Sequence, residues 1–215
     1  MIVDVKICGL TRPADAALAA RHGAWRLGVI FAGGPRQVDA AQAREIVAAA
    51  AGVPVLGVFA GHEFEEVLDI VAEAGLAGVQ LHGASDAGIA ARFGATGLEV
   101  WRVASVESEG SLAEVLAERA TSADALLVEP RHPDGLGGKG IALPQSLAIA
   151  ARRAAPPGRF VLAGGLQPEN VVELIRVVGP DAVDVSSGVE SAPGRKDAER
   201  LIRFLEMVRD ARTSS

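Results

Sequence analysis

Cysteine is almost absent from this 215-residue chain: Cys8 is the only one. A lone cysteine forms no intramolecular disulfide, and a zinc site needs several clustered ligands. The few histidines (His22, His62, His82 and His132) are scattered, with no HxH or HxxxH spacing, which argues against a structural metal. There is no cluster of Lys or Arg and the net charge is -6, so the basic face of a nucleic-acid binder is missing. No apolar run reaches the ~20 residues of a membrane span. The start, Met1-Ile2-Val3-Asp4, lacks the basic and apolar regions of a signal peptide. No linker or low-complexity stretch divides the chain, and no internal repeat is visible as sequence. These absences lead to the expectation of a cytoplasmic protein with neither nucleic acid nor membrane as partner.

What is present is alternation. Hydrophobic residues make up 49% of the chain, enough for one buried core. Short β-branched runs recur at Val3–Cys8, Arg26–Phe31, Pro54–Phe59, Gly78–Leu81, Leu98–Val103, Ala123–Glu129, Arg159–Ala163 and Ala182–Val185. Segments with helical periodicity lie between or after them, among them Ala40–Ala50, Glu63–Ala74, Asp86–Phe93, Leu112–Ala120, Pro144–Ala154, Pro168–Val178 and Asp197–Val208. About eight β–α units spaced by roughly 25 residues predict a parallel sheet covered by helices. The length fits a single-domain α/β (β/α)8 TIM barrel over residues 1–208, with a polar tail at 209–215. A doubly wound open sheet is the alternative.

In a barrel, chemistry sits where strands end. The polar residues falling there are Lys6, Cys8, Arg36, Gln80, His82, Arg102, Glu129 and Asp184, with the glycine-rich Asp134–Gly140 after the sixth run. Cys8 reads either as a small buried residue or as a reactive group. Gly9 and then Thr11, a candidate helix N-cap, follow it. Lys6 lies two residues before Cys8, so both face one way on a strand. An ammonium there lowers a thiol pKa and suits a base or nucleophile; the alternative for Lys6 is an interior ion pair with Asp4. Glu129 ends an apolar run, where desolvation would raise its pKa and suit a general acid. Arg36 can hold a carboxylate by two parallel hydrogen bonds, or be a surface arginine. His82 is a ligand-facing group or a satisfied strand-end histidine. Gly164 and Gly165 precede a proline-marked helix start, and Ser186, Ser187 and Gly188 end the next unit. Loops after strands seven and eight commonly hold phosphate in this fold, so these five residues are the phosphate-binding candidates.

Taken together, the motifs resemble the phosphoribosylanthranilate isomerase family of tryptophan biosynthesis. They are Val5–Thr11, Pro35-Arg36, Val79–Gly83, Gly137–Gly140, Leu162–Asn170, Asp184–Glu190 and Pro193–Asp197, in order along nearly the whole chain. The resemblance implies an Amadori rearrangement of N-(5-phosphoribosyl)anthranilate, with no cofactor and no metal. It implies Cys8 as the general base and Glu129 as the general acid on the ring oxygen. It places Arg36 on the anthranilate carboxylate, and Lys6, His82 and Asp184 around the substrate. Gly164, Gly165, Ser186, Ser187 and Gly188 would take the phosphate. The implied partner is a small phosphoribosyl substrate, and the chain would be a monomer or homodimer. The family usually has aspartate where this chain has Glu129, and serine where it has Gly34. The extra methylene of Glu129 moves its carboxyl by roughly an ångström, so the backbone would have to compensate. A histidine-pathway or dual-substrate phosphoribosyl isomerase, or an inactive phosphosugar-binding barrel, stand as alternatives. The former use an aspartate base where Cys8 stands.

Overall fold

The computed structural model describes residues 2–83, 86–131 and 142–211. His132, the Asp134–Gly140 loop and the end of the tail, 212–215, lie outside the described residues. Eight parallel strands close on one another in sequence order: β1 (Asp4–Ile7), β2 (Arg26–Ile30), β3 (Val55–Ala60), β4 (Gly78–His82), β5 (Glu99–Val106), β6 (Ala125–Pro130), β7 (Arg159–Leu162) and β8 (Ala182–Val185). The ring is the (β/α)8 barrel the alternation predicts, and it excludes the open sheet. Around it run α1 (Pro13–Arg21), α2 (Ala40–Ala49), α3 (Phe64–Ala74), α4 (Asp86–Phe93), α5 (Leu112–Ala120), α6 (Gln145–Ala154), α7 (Val171–Val178) and α8 (Ala198–Ala211). A 3-10 turn (Ser187–Val189) and a two-stranded ribbon, β9 (Glu190–Ala192) with β10 (Arg195–Lys196), follow β8. No described helix is long and apolar enough to cross a membrane.

Alternation of side chains across each strand divides the apolar residues into two cores. Leu56, Trp101, Val103, Ala125, Leu127 and Val161 fill the barrel interior. A larger cluster, including Val29, Phe59, Val100 and Val183, packs between strands and helices. The helices follow from local chemistry. Asp39 caps α2 by accepting from the Gln42 N–H, and the Gln42 side chain accepts in return from the Asp39 N–H. α3 and α7 stop at Gly75 and Gly179, both left-handed, a conformation glycine adopts without penalty.

Several boundaries differ from the sequence reading. Helix α1 starts at Pro13, with Arg12 rather than Thr11 at the cap position; the Thr11 hydroxyl instead donates to the Gly194 carbonyl of the ribbon. Helix α7 begins at Val171, because Pro168 lies in a preceding turn held by Asn170, whose side chain accepts from the Gln167 N–H. Helix α8 continues through Ala211, past the boundary expected at 208.

Arg102 also lies elsewhere than expected. β5 runs on to Val106, so Arg102 is mid-strand, and it faces outward between the inward Trp101 and Val103. Its guanidinium is buried against the C-terminal end of α5. Nη1 donates to the Glu118 and Thr121 carbonyls, and Nη2 to the Glu118 carboxylate at 2.7 Å. A cation there satisfies carbonyls that the helix leaves unpaired and complements its dipole. Replacing Arg102 by Met should therefore lower stability by about 2 kcal/mol, measured by urea unfolding. Unchanged stability would show that the helix end does not need this cation.

Candidate functional site

The C-terminal ends of the strands open on a cavity of about 650 Å³, walled on its inner side by Cys8, Gln80, His82, Glu129, Asp184 and Ser186. These residues come from β1, β4, β6 and β8 or the loop just after each strand. Parity brings them together: in each strand the inward residues alternate, and the last inward position faces the opening.

Cys8 follows β1, and its N–H donates to the Val185 carbonyl at 2.9 Å, so the residue is held to the end of β8. Lys6, fully buried one pleat below, donates to Asp184 Oδ1 at 2.9 Å. The alternative partner, Asp4, pairs instead with Arg159. Burial opposes the charge on Lys6, but Asp184 and Cys8 outweigh it and leave its pKa raised. The thiol departs from the sequence expectation. Burial pushes the Cys8 pKa up; Lys6 pulls it down, Asp184 pushes it up again, and the net direction is upward. Proximity to a cation is therefore only half of the thiol's environment, because that cation is itself neutralised by Asp184.

A residue not singled out from sequence makes room for this pair. A Cβ on Gly28 of β2 would lie 2.9 Å from Cys8 Sγ and 3.1 Å from Lys6 Nζ. A lone glycine inside the apolar run Leu27-Gly28-Val29 is the signal that could have found it, since glycine within a strand often marks a close approach.

Glu129 projects from β6 on the far side of the opening. Burial pushes its pKa up to about 7, Asp184 adding to the rise while Ser105 and Lys6 oppose it. Ser105 Oγ donates to Glu129 Oε1 at 3.3 Å, and His82 Nδ1 lies 3.7 Å from the same oxygen. Burial, then the positive charges of Lys6 and Arg119, pull the His82 pKa down to about 4, so the imidazole is neutral near pH 7. Its Nε2 lies 3.1 Å from the Gln80 amide nitrogen, which donates to it; the ring therefore carries its proton on Nδ1, facing Glu129. His82 is thus both cavity-facing and hydrogen-bonded.

Arg36 reaches the cavity from the loop after β2, and its guanidinium is already engaged. Nε donates to Glu190 Oε1 at 2.9 Å and Nη2 to Oε2 at 2.7 Å. The side-on fork is thus taken, while the end-on pair of N–H groups on Nη1 and Nη2 meets no carboxylate among the described residues. Lys196 in β10 donates to Glu190 Oε1 at 2.9 Å and to the Ser186 carbonyl at 3.0 Å. Burial would raise the Glu190 pKa, but Arg36 and Lys196 hold it below the ordinary range. Neither Glu190 nor Lys196 was a sequence candidate: Glu190 meets Arg36 across 154 positions of chain, and Lys196 enters the cluster only through Glu190.

Of the phosphate candidates, Ser186 and Ser187 line the cavity, while Gly164, Gly165 and Gly188 are not part of its wall. The Ser186 hydroxyl is buried with no hydrogen-bond partner among the described residues. Gly188 is needed for a steric reason: a Cβ there would fall 1.8 Å from the Leu166 carbonyl oxygen. The loops after β7 and β8 touch at that point. Gly164 and Gly165 both have positive φ, 94° and 65°.

Comparison with known proteins agrees with this geometry. A family model described as N-(5'phosphoribosyl)anthranilate (PRA) isomerase matches residues 5–207. The chain is 39% identical over 217 residues to N-(5'-phosphoribosyl)anthranilate isomerase of Cereibacter sphaeroides, covering 96% of this chain and 99% of that protein. It is 37% identical over 205 residues to the enzyme of the same name from Neisseria meningitidis serogroup B, covering 94% and 95%. The solved phosphoribosyl anthranilate isomerase of Thermotoga maritima superposes with a TM-score of 0.85 at 33% identity, over 97% of this chain and 100% of that one. A phosphoribosyl anthranilate isomerase solved with reduced 1-(o-carboxyphenylamino)-1-deoxyribulose 5-phosphate gives a TM-score of 0.83 at 32% identity, with the same coverage. With a closed eight-stranded barrel, a thiol and a carboxyl facing one cavity, and a match along almost its whole length, the chain belongs to the N-(5'-phosphoribosyl)anthranilate isomerase family.

Proposed function

We infer that the chain isomerises N-(5-phosphoribosyl)anthranilate to 1-(2-carboxyphenylamino)-1-deoxyribulose 5-phosphate, with Cys8 as base and Glu129 as acid. The observation carrying these roles is the placement of a thiol and a buried carboxyl, its pKa raised by that burial, on one cavity, with the Lys6–Asp184 pair beside the thiol. Glu129 gives its proton to the furanose ring oxygen as the anilinic nitrogen pushes open the C1–O bond. The product of that step is an open-chain Schiff base. The Cys8 thiolate then takes the proton from C2, and the electron pair moves into the C1–C2 bond to give an enolamine. Protonation at C1 and loss of the C2 hydroxyl proton yield the ketose. Asp184 is placed to meet the amine or sugar, His82 lines the wall, and Lys6 steadies the thiolate. The end-on fork of Arg36 receives the anthranilate carboxylate. The phosphate lies at Ser186 and Ser187, with the Gly164, Gly165 and Gly188 backbone supporting these loops. The only cysteine has to stay reduced to act, which supports a reducing, cytoplasmic setting.

The required form of the enzyme has Cys8 ionised and Glu129 protonated. The acid has the lower pKa of the two, so this form is a minority at every pH. kcat/KM should rise through the Glu129 pKa near 7 and fall above the ordinary thiol range. Alkylation of Cys8 by iodoacetamide, followed against pH, should show its midpoint above that of a free thiol; a midpoint below it would contradict the upward shift. Cys8→Ala and Glu129→Ala should each lower kcat by at least about a thousandfold with the fold retained by circular dichroism. Near-parental kcat in either variant removes that residue from its role. Arg36→Ala should raise KM by about a hundredfold with a much smaller change in kcat, since the carboxylate it holds does not react. A large fall in kcat at constant KM would overturn the anchoring role.

A further inference from the structure

This inference rests on Glu129 being the general acid and asks how a glutamate is aimed where the family usually has aspartate. Ser105 lies on β5 directly opposite Glu129 in the β5–β6 register. Both contacts that the described residues make to the carboxyl fall on one oxygen. Ser105 Oγ donates to Oε1 at 3.3 Å, and the Nδ1–H of His82 faces Oε1 at 3.7 Å. Oε2 carries neither contact. Ser105 is the last inward position of β5, after Trp101 and Val103, and it is solvent-exposed. His82 is oriented in turn by Gln80, one pleat below it on β4.

We propose that Ser105 is a positioning residue that holds Oε1 of the longer glutamate side chain by its hydrogen bond, with His82 flanking the same oxygen, and leaves Oε2 as the oxygen that delivers the proton to the substrate ring. A glutamate has one more rotatable bond than an aspartate, so a free carboxyl would spread over several rotamers. A donor on the neighbouring strand, held to one oxygen, restricts that freedom. The cross-strand partner on β5 takes up the extra reach that an added methylene brings on β6. Charged and titratable groups act on Glu129 from every neighbouring side. Asp184 of β8 raises its pKa, Lys6 of β1 and Ser105 of β5 lower it, and His82 of β4 is neutral. Losing the Ser105 hydroxyl therefore favours the protonated carboxyl.

The test is a double-mutant cycle between Ser105→Ala and Glu129→Asp, read as kcat and as the pH profile of kcat/KM. Ser105 is exposed, so Ser105→Ala should fold like the parent. In the parent it should lower kcat about tenfold through misplacement of the carboxyl, with little change in KM, and move the acid limb to higher pH. Ser105→Thr, which keeps the hydroxyl, should restore most of the rate. Glu129→Asp withdraws the carboxyl from Ser105, so adding Ser105→Ala to it should change neither kcat nor the limb. Equal losses in both backgrounds would mean that Ser105 acts only on the structure, and would overturn the proposal. So would a parental rate and profile in Ser105→Ala. Should Glu129→Asp and Glu129→Ala both stay as active as the parent, the acid assignment itself fails, an outcome separate from failure of the Ser105 cycle alone.

Discussion

The buried ion pair between Lys6 and Asp184 is the constraint on which the site depends. It spans β1 and β8, the first and last strands, and the two residues are register partners at the seam that closes the barrel. Lys6 has no exposed surface, so removing either partner would strand a charge at a cost of about 3–5 kcal/mol. The same pair sets the chemistry on both sides. Lys6 pulls the Cys8 thiol down while Asp184 pushes both the thiol and Glu129 up. One interaction thus joins the two ends of the barrel to the protonation of Cys8 and Glu129.

A second charge cluster lies beside the cavity. Arg36, Glu190 and Lys196 come from the loop after β2 and from the ribbon after β8, and they leave one net positive charge beside the cavity. Lys196 also donates to the Ser186 carbonyl, so one lysine ties Glu190 to the loop after β8. The Thr11–Gly194 hydrogen bond anchors that ribbon to the loop after β1.

The sequence disclosed what local pattern controls. Period-two runs and intervening helical segments located all eight strands, and position at strand ends found Cys8, Glu129, His82 and Asp184. Arg102 was misread because the end of β5 was drawn too early; counting parity from Trp101 would have turned it outward. The direction of the Cys8 pKa was misread for a different reason. It is a balance between burial and charges of both signs, and two of those charges, Asp184 and Lys196, lie 176 and 188 positions away in sequence. Gly28, Ser105, Glu190 and Lys196 stayed hidden because each works through a cross-strand or cross-loop contact. A pattern along the chain carries no record of who stands opposite whom until the barrel is closed.

The neutral His82 beside a protonatable Glu129 has a consequence for the whole molecule. Burial moves the carboxyl from an ordinary 4.5 to about 7 and the imidazole from 6.5 to about 4. The carboxyl, with its pKa raised, binds a proton more readily when folded, so its contribution to stability is full at low pH and declines as pH rises toward 7. The imidazole, with its pKa lowered, contributes fully above 6.5 and loses that contribution as pH falls toward 4. Between about 4.5 and 6.5 the two slopes oppose each other and largely cancel. Within this pair a proton in effect passes on folding from a histidine to a glutamate, so the two buried groups together add almost nothing to the proton exchange of folding over that range.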